Sequence, residues 1–337
     1  MKLPVAVIGV GHLGKEHARI LSHLPDVELI GVVDPDVAQA QSVAQRLGTR
    51  AFEDYRPLLG RVQAVVVAAP TAYHHAIACD LLRAAIPLLV EKPLANSRDQ
   101  GAEMVALARR HNVLLQVGHI ERYNPAYEEL LRQHLIPRYI RCERLGGFTG
   151  RSGDVGAVLD LMIHDIDLIL NLLGEPVHRV EAIGATVLGG HEDLAQARLS
   201  FPSGCVADLA VCRVSPEVRR SMHLIGVQGA ATVDWASKSL CVYRPTHELH
   251  GVDSRRLSPE RVADLKANLF GKYLATETIE CSTHHAQDQL TRELREFVDC
   301  VRTGAHPRVD GVAGLAALEV ASRVLDAIHV REVRRAA

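Results

Sequence analysis

Along the first 120 residues, short apolar runs alternate with stretches whose apolar positions recur every three or four residues. Val5–Val10, Val27–Asp34, Ala64–Ala68, Leu88–Glu91 and Leu114–Gly118 are near-continuously apolar and predict strands. Lys15–Leu24, Asp36–Leu47, His74–Arg83 and Arg98–Arg110 carry the helical period. Strands without a polar face are buried on both sides, as in a parallel sheet sandwiched by helices. Strand and helix in strict alternation predict a doubly wound α/β domain of the Rossmann type over residues 1–120.

From residue 121 the pattern changes. One long apolar helix is predicted over Val158–Leu173. Strand-like segments follow without helices between them: Arg179–Thr186, Ala195–Phe201, Cys205–Cys212, Ser221–Ile225, Ala231–Asp234 and Leu240–Tyr243. In Cys205–Cys212, Ala207, Leu209 and Val211 face one way and Asp208 the other, so one face is covered and one is wet. Residues 121–337 therefore read as an α+β domain with an open, mostly antiparallel sheet. The polar segment Arg244–Gln287 reads as loop plus a short helix. Asp288–Arg302 and Leu315–Ala327 predict two closing helices, expected to pack back on the first domain, joined by the turn-rich "TGAHPRVDG".

Composition narrows the function classes. The chain is 47% apolar and 23% charged with a formal net charge of −2. That gives no basic excess to hold nucleic acid or an anionic membrane. Seven cysteines, an odd number and none in a C-x-x-C pair, argue against a disulfide framework or a zinc site. They fit a reducing compartment, so a cytoplasmic protein without a metal is expected. The stretch "LPVAVIGVG" is too short for a membrane span and lacks a small-residue cleavage site, so it reads as a buried strand.

The first chemistry lies in "VAVIGVGHLGKEHA". Gly9, Gly11 and Gly14 form G-x-G-x-x-G between the first strand and the first helix. Gly9 permits the tight turn, Gly11 lets the backbone approach a pyrophosphate, and Gly14 lets helix and strand pack closely. His12 and Leu13 complete the loop ahead of the helix amides that would face the phosphate. Asp34 ends the second strand, twenty residues beyond Gly14, where a carboxylate suits a ribose 2′-hydroxyl. With Asp34 and Asp36 adjacent and no cation until Arg46, NAD is expected over NADP.

Lysine is scarce: six lysines stand among 38 basic residues, and Lys92 is the single one between Lys15 and Lys238. It sits just past a predicted strand in "LLVEKPLA", and ligand crevices in open α/β sheets lie at the carboxyl ends of strands. Arginine stays protonated, whereas a lysine can titrate and is compact. A position that passes a proton, or donates closely to a hydroxyl, excludes arginine; a surface loop lysine is the alternative. In "DLMIHDIDLILNLLG", Asp160, His164, Asp167 and Asn171 fall on one helical stripe, with Asp165 off it and expected to face solvent. Asp160, one turn from His164, would orient and charge the ring; a solvated surface face is the alternative. Pro70, Thr71 and His74 follow a strand and are placed to line the cofactor crevice, as is Glu91; a histidine that merely starts the helix is the alternative for His74. Arg122, Tyr123 and Asn124 would reach the cleft from the crossover or form the hinge.

Taken together, the Gly9–Gly14 loop, "APTAYH" (69–74), "EKP" (91–93), "ERYNP" (121–125), "DLMIHDID" (160–167) and "FVDCVRTGAHP" (297–307) resemble the family of glucose–fructose oxidoreductase, inositol dehydrogenase and MocA proteins. The resemblance spans essentially the whole chain. It implies a catalytic lysine at Lys92 and the D-x-x-x-H pair at Asp160 and His164, which touch substrate. It also implies a homodimer or homotetramer. Family members often carry glycine before that histidine; here it is Ile163, which implies a differently shaped pocket. "VGHIERYNPA" and "DLMIHDIDL" look most like enzymes that oxidise C3 of UDP-N-acetylglucosamine, whose 3-keto product is aminated for lipid A. A dehydrogenase of inositol or a free sugar, and a non-catalytic NAD-binding regulator, are the other expectations.

Overall fold

The structure is a computed structural model and describes residues 1–150, 155–250, 252–281 and 287–336. Its first sheet contains β1 (Leu3–Ile8), β2 (Val27–Val33), β3 (Arg50–Phe52), β4 (Ala64–Val67), β5 (Leu88–Glu91) and β6 (Leu115–Gly118). All pairs are parallel and the order is β3-β2-β1-β4-β5-β6. Helices α1 (Gly14–His23), α2 (Val37–Leu47), α3 (Thr71–Arg83) and α4 (Arg98–His111) form the crossovers. The strand order reverses between β1 and β4, which opens a crevice at their carboxyl ends. The apolar strands are buried because helices cover both faces: β4, β5 and β6 are buried along their whole length. β3 is an addition to the expected strands; three residues are too few to show a pattern.

A 3-10 turn, Ile120–Tyr123, and α5 (Pro125–Arg132) lead to the second sheet. Its strands are β7 (Pro137–Leu145), β8 (Arg179–Ala185), β9 (Leu194–Ser200), β10 (Val206–Cys212), β11 (Arg219–Gly226), β12 (Gly229–Asp234), β13 (Ser239–Pro245) and β14 (Leu274–Glu280). They lie in the order β14-β13-β12-β11-β7-β10-β9-β8, antiparallel except for β7 against β10. β10 alternates buried and part-exposed residues as its sequence predicts. Two strands escape the pattern. In β7 a buried arginine, Arg144, stands where an apolar residue would mark the inward face. The segment expected to be loop plus a short helix holds α7 (Pro259–Asn268) and also β14, an edge strand with no buried residue. Residues 251 and 282–286 of that segment lie outside the described residues.

The predicted helix from Val158 divides into a π-helical turn, Val158–Met162, and α6 (Ile163–Leu173), which packs against the closing helix α9 (Gly311–Ala336). The chain end returns to the first sheet. The helix α8 (Gln289–Thr303) lies on α1, and α9 lies on α4 and β6. The amide of Val117 in β6 donates to the Val309 carbonyl at 2.9 Å, and Gln116 bridges to Asp310. Leu294, Phe297 and Val298 of α8 join the apolar core of α1 and β1. Among the described residues, no helix is long and apolar enough to cross a membrane.

One acid inside this seam is unusual. Glu293 of α8 is fully buried, and neither of its carboxyl oxygens has a hydrogen-bond partner among the described residues. Burial, and then the charges of Glu91 and Glu296, hold its carboxyl well above the usual range. The fold therefore favours its protonated form. A raised folded-state value gives a contribution that is complete below the unfolded carboxyl's range and is lost as pH rises through the folded value. Glu293→Gln, an uncharged near-isostere, is expected to raise the melting temperature relative to the parent at pH 8 and by less at pH 5. Equal shifts at both pH values in thermal melts would contradict a protonated Glu293.

Candidate active site

The glycine loop is shaped by contact. Gly9 has φ +82°, and a Cβ there would meet the Ala69 amide nitrogen at 2.5 Å. A Cβ on Gly14 would meet the Gly9 carbonyl oxygen at 1.8 Å. At Gly11 a Cβ would meet nothing within 4 Å. Packing therefore demands Gly9 and Gly14, while the backbone of Gly11 faces open space that a phosphate can approach. His12 and Leu13 are exposed there, and α1 begins at Gly14, with the Lys15 and Glu16 amides donating to the Gly11 and Leu13 carbonyls at 3.2 and 2.9 Å. An adjoining open pocket of about 500 Å³ is lined by Gly11, His12, Lys15, Asp36, Gln39 and Arg46, among others. Asp34 is nearly buried. It accepts from the Val10 amide at 2.9 Å, the Gln39 side chain at 2.9 Å and the Asp36 amide at 3.0 Å. A dinucleotide fits this cradle: the loop backbone from Gly11 to Leu13, at the positive end of α1, would take its pyrophosphate, and the Asp34 side its ribose. One expectation is corrected. The helical path of α2 brings Arg46 back to the loop, where Lys15 of α1 joins it, so the adenosine end is not free of cations.

At the crevice's other end, His74 is buried with Nε2 at 2.8 Å from the Ala69 carbonyl and Nδ1 at 3.0 Å from that of Pro93. It ties the β4–α3 turn to the turn after β5, which holds a cis Lys92–Pro93 peptide bond. Pro70 caps α3 from an exposed position, and Thr71 is buried as its first residue. Glu91 pairs with His17 of α1 at 2.6 Å and accepts from the Lys92 amide at 3.3 Å. Burial raises the Glu91 carboxyl, but the His17 hydrogen bond and charge, with those of Lys92 and His74, outweigh it and leave it below the usual range.

Lys92 reaches from β5 to the second sheet's helix. Its Nζ donates to the Asp160 carboxylate at 3.0 Å and to the Asp160 carbonyl at 2.7 Å. This overturns the expected Asp160–His164 pairing. The expectation assumed a regular α-helix, but Asp160 sits in the π-helical turn, where the Ile163 amide donates to the Val158 carbonyl. His164 is instead held uncharged: burial first, then the charges of Lys92 and Arg144, lower its basicity well below the usual imidazole range. Its Nδ1 is enclosed without a hydrogen-bond partner among the described residues.

Around this pair the charges are matched. Arg122 makes a two-pronged bond to Asp167, at 2.6 and 2.8 Å. Asp165, expected in solvent, is fully buried and accepts from Arg144 at 2.9 Å, so the face opposite the stripe is also covered. Burial raises the Asp165 carboxyl, and Arg144 offsets only part of that rise. Arg144 also binds Glu121 at 2.9 Å. The reading of the stripe as a solvated surface face is excluded, since Ile163 and the five residues Asp165–Ile169 are buried; Asn171 alone lies exposed, donating to the Tyr127 hydroxyl at 2.7 Å. Tyr123 is fully buried and donates to Glu296 at 3.1 Å. Asn124 caps α5 and donates to Glu121 at 3.0 Å. Both side chains thus serve the crossover's own packing. His119, at the end of β6, was missed. It is buried, neither ring nitrogen has a partner among the described residues, and its ring stands edge-on to His164 with centroids 6.4 Å apart. Its signal in the sequence is its place directly after the last apolar strand.

A dinucleotide cradle, a strand-end lysine and an uncharged histidine in one crevice define an oxidoreductase. The family described as "Oxidoreductase family, NAD-binding Rossmann fold" matches residues 3–119, and its "C-terminal alpha/beta domain" matches residues 151–332. The chain belongs to this Gfo/Idh/MocA family and is a dehydrogenase acting on CH–OH groups. It is similar to UDP-N-acetylglucosamine 3-dehydrogenase of Acidithiobacillus ferrooxidans, at 33% identity over 96% of each chain. It is also similar to scyllo-inositol 2-dehydrogenase (NAD(+)) of Bacillus subtilis, at 26% over 94% of this chain and 91% of that one. The solved structure of the Acidithiobacillus ferrooxidans enzyme superposes with a TM-score of 0.84 at 31% identity, covering 98% of this chain and 99% of that one. An oxidoreductase from Agrobacterium radiobacter in complex with NAD+, L-tartaric acid and magnesium shares the fold, with a TM-score of 0.81 at 16% identity over 98% and 97%.

If the Lys92–Asp160 bond works in turnover, Asp160→Asn lowers kcat and its loss overlaps with that of Lys92→Arg. A double-mutant cycle is expected to give a coupling of about 0.5–3 kcal/mol for that pair. The coupling of Asp160 with His164→Asn is expected to be smaller. Additive losses for Lys92 and Asp160 would show that the bond is idle in turnover.

Proposed function

We propose that the protein is an NAD-dependent dehydrogenase that oxidises the C3 hydroxyl of UDP-N-acetylglucosamine to a ketone. The observation that carries the reading is Lys92, paired to Asp160, beside the uncharged His164 at the strand end where a nicotinamide would lie. End-to-end similarity to an enzyme of that name supports the substrate. When bound, the dinucleotide supplies the acceptor for the hydride leaving carbon. Lys92 donates a hydrogen bond to the reacting oxygen and fixes the hydroxyl over the crevice. His164 takes the hydroxyl proton at Nε2 as the carbonyl forms, and its neutral form is the one able to accept it. Lys92 and His164 are therefore the catalytic pair, with Asp160 positioning Lys92. Arg122 stays in the substrate wall through its bond to Asp167. The enzyme works in the cytoplasm as a homodimer or homotetramer, ahead of an amination that serves lipid A with amide-linked chains. The second reading, an inositol dehydrogenase, is favoured by the similarity to the Bacillus subtilis enzyme.

Incubation with NAD and UDP-N-acetylglucosamine is expected to give NADH and a 3-keto sugar nucleotide, with an amine-transfer partner added to draw an uphill equilibrium. A far higher kcat/KM for free inositol or glucose would replace the substrate assignment with the second reading.

Cofactor choice follows from the fixed carboxylate of Asp34, which stands where a 2′-phosphate would be repelled. Lys15 and Arg46 temper that repulsion. Calorimetric titration is expected to show NAD binding more tightly than NADP, and Asp34→Ser is expected to narrow the gap. Tighter NADP binding by the parent protein would reverse the assignment.

A further inference from the structure

The cations around the catalytic end of the crevice can be taken one by one. Lys92 has Asp160 at 3.0 Å, and Arg122 has Asp167 at 2.6 Å. Arg144 has both Asp165 and Glu121 at 2.9 Å. Arg213 has Asp193 at 2.7 Å, and Arg219 has Glu143 at 3.1 Å. Arg220 is the exception. It is exposed, and its side chain makes no hydrogen bond or ion pair among the described residues.

Its position is fixed by sheet register. β11 runs antiparallel to β7 with Arg220 opposite Arg144, Met222 opposite Cys142 and Leu224 opposite Ile140. Side chains two apart on a strand share a face, and directly opposed Cβ atoms lie about 4.5–5.5 Å apart. Arg220 therefore stands beside Arg144 on the covered face, the side where Arg144 meets Asp165 of α6. Met222, Leu224, Cys142 and Ile140 are buried on that face, whereas Arg220, near the start of β11, emerges from cover. Its charge is felt by Glu121, His164 and Asp165, which agrees with a place at the mouth of the catalytic crevice.

We infer that Arg220 is a specificity-determining residue that binds an anionic group of the substrate, the phosphates of a sugar nucleotide, while the sugar lies against Lys92 and His164. A guanidinium with no internal carboxylate keeps its donors for a ligand, and its fork geometry matches a phosphate. The neighbouring arginine is already paired with two acids, so Arg220 is the charge at this site left unmatched among the described residues. A neutral polyol gives it nothing to bind, so the residue favours a phosphorylated or otherwise anionic sugar. The inference rests on the sugar-nucleotide reading for the identity of the anion, but not for the presence of an anion site.

The test uses the NAD-saturated enzyme, so that the cofactor's own phosphate cradle is filled, with UDP alone as the calorimetric probe. Arg220→Gln is expected to weaken UDP about ten- to a hundred-fold, the range of one lost hydrogen bond to a charged group. The KM for UDP-N-acetylglucosamine should rise by a similar factor with kcat little changed, because the reacting hydroxyl is held elsewhere. Arg220→Lys should recover part of the loss. A uronic acid and N-acetylglucosamine 1-phosphate, used as competitors, distinguish a carboxylate from a phosphate as the preferred anion. Unchanged UDP affinity and unchanged KM in a folded Arg220→Gln variant would overturn the inference, as would failure of UDP to bind the parent holoenzyme. UDP binding through Arg220 without oxidation of UDP-N-acetylglucosamine would leave the anion site standing and reject the proposed function.

Discussion

The ion pair between Lys92 and Asp160 joins the two halves of the chemistry. One partner stands at the carboxyl end of a parallel strand, the other on the helix that leads into the second sheet. Neither is held in place by its own element alone. Glu91, clamped by His17, accepts the Lys92 amide, and His74 grips the carbonyl of Pro93 on the other side. The lysine is thus aimed by backbone contacts before its ammonium meets a carboxylate. Breaking one partner of a half-buried pair leaves an uncompensated charge in a poorly solvated place, which costs more than the pair itself contributes.

The same pairing of opposite charges runs through the seam between the sheets. Arg122 with Asp167, and Arg144 with Asp165 and Glu121, place three arginine–acid contacts beneath the crevice. Such groups are expensive to bury singly and tolerable only when matched. Burial first, then the charges of Lys92 and Arg144, oppose further positive charge on His164, so the histidine stays neutral and able to accept a proton. Stability and reactivity at this site are therefore set by one arrangement of charges.

Much of the first sheet was legible because its strands are apolar without interruption, and only a two-sided cover explains that. The glycine loop was legible because Gly9 and Gly14 answer to backbone contacts at fixed spacing. Lys92 stood out because arginine is the rule elsewhere in the chain. The partner of Asp160 was not legible, since the spacing within one helix says nothing of a lysine 68 residues earlier in the chain. Asp165 and the strand β7 were hidden by the same residue, Arg144, since a buried ion pair reads as two polar positions. Arg46 looked remote from Asp36 in sequence and lines one pocket with it only through the turns of α2. His119 carried no signal beyond position, and Glu293 resembles any helix-surface acid until α8 is seen packed on the first sheet.

The return of the chain end to β6 bears on how the molecule is made. Val117 takes its partner from Val309, and α8 and α9 cover α1 and α4. During synthesis from the amino end, the first sheet is therefore finished only after nearly two hundred further residues have emerged. Until then β6 presents a free edge, and the apolar side chains that later meet Leu294, Phe297 and Leu318 stand open to water. An uncovered edge beside an apolar surface is where chains stick to one another. The nucleotide domain, self-sufficient in topology, thus depends for its closure on a segment made long after it.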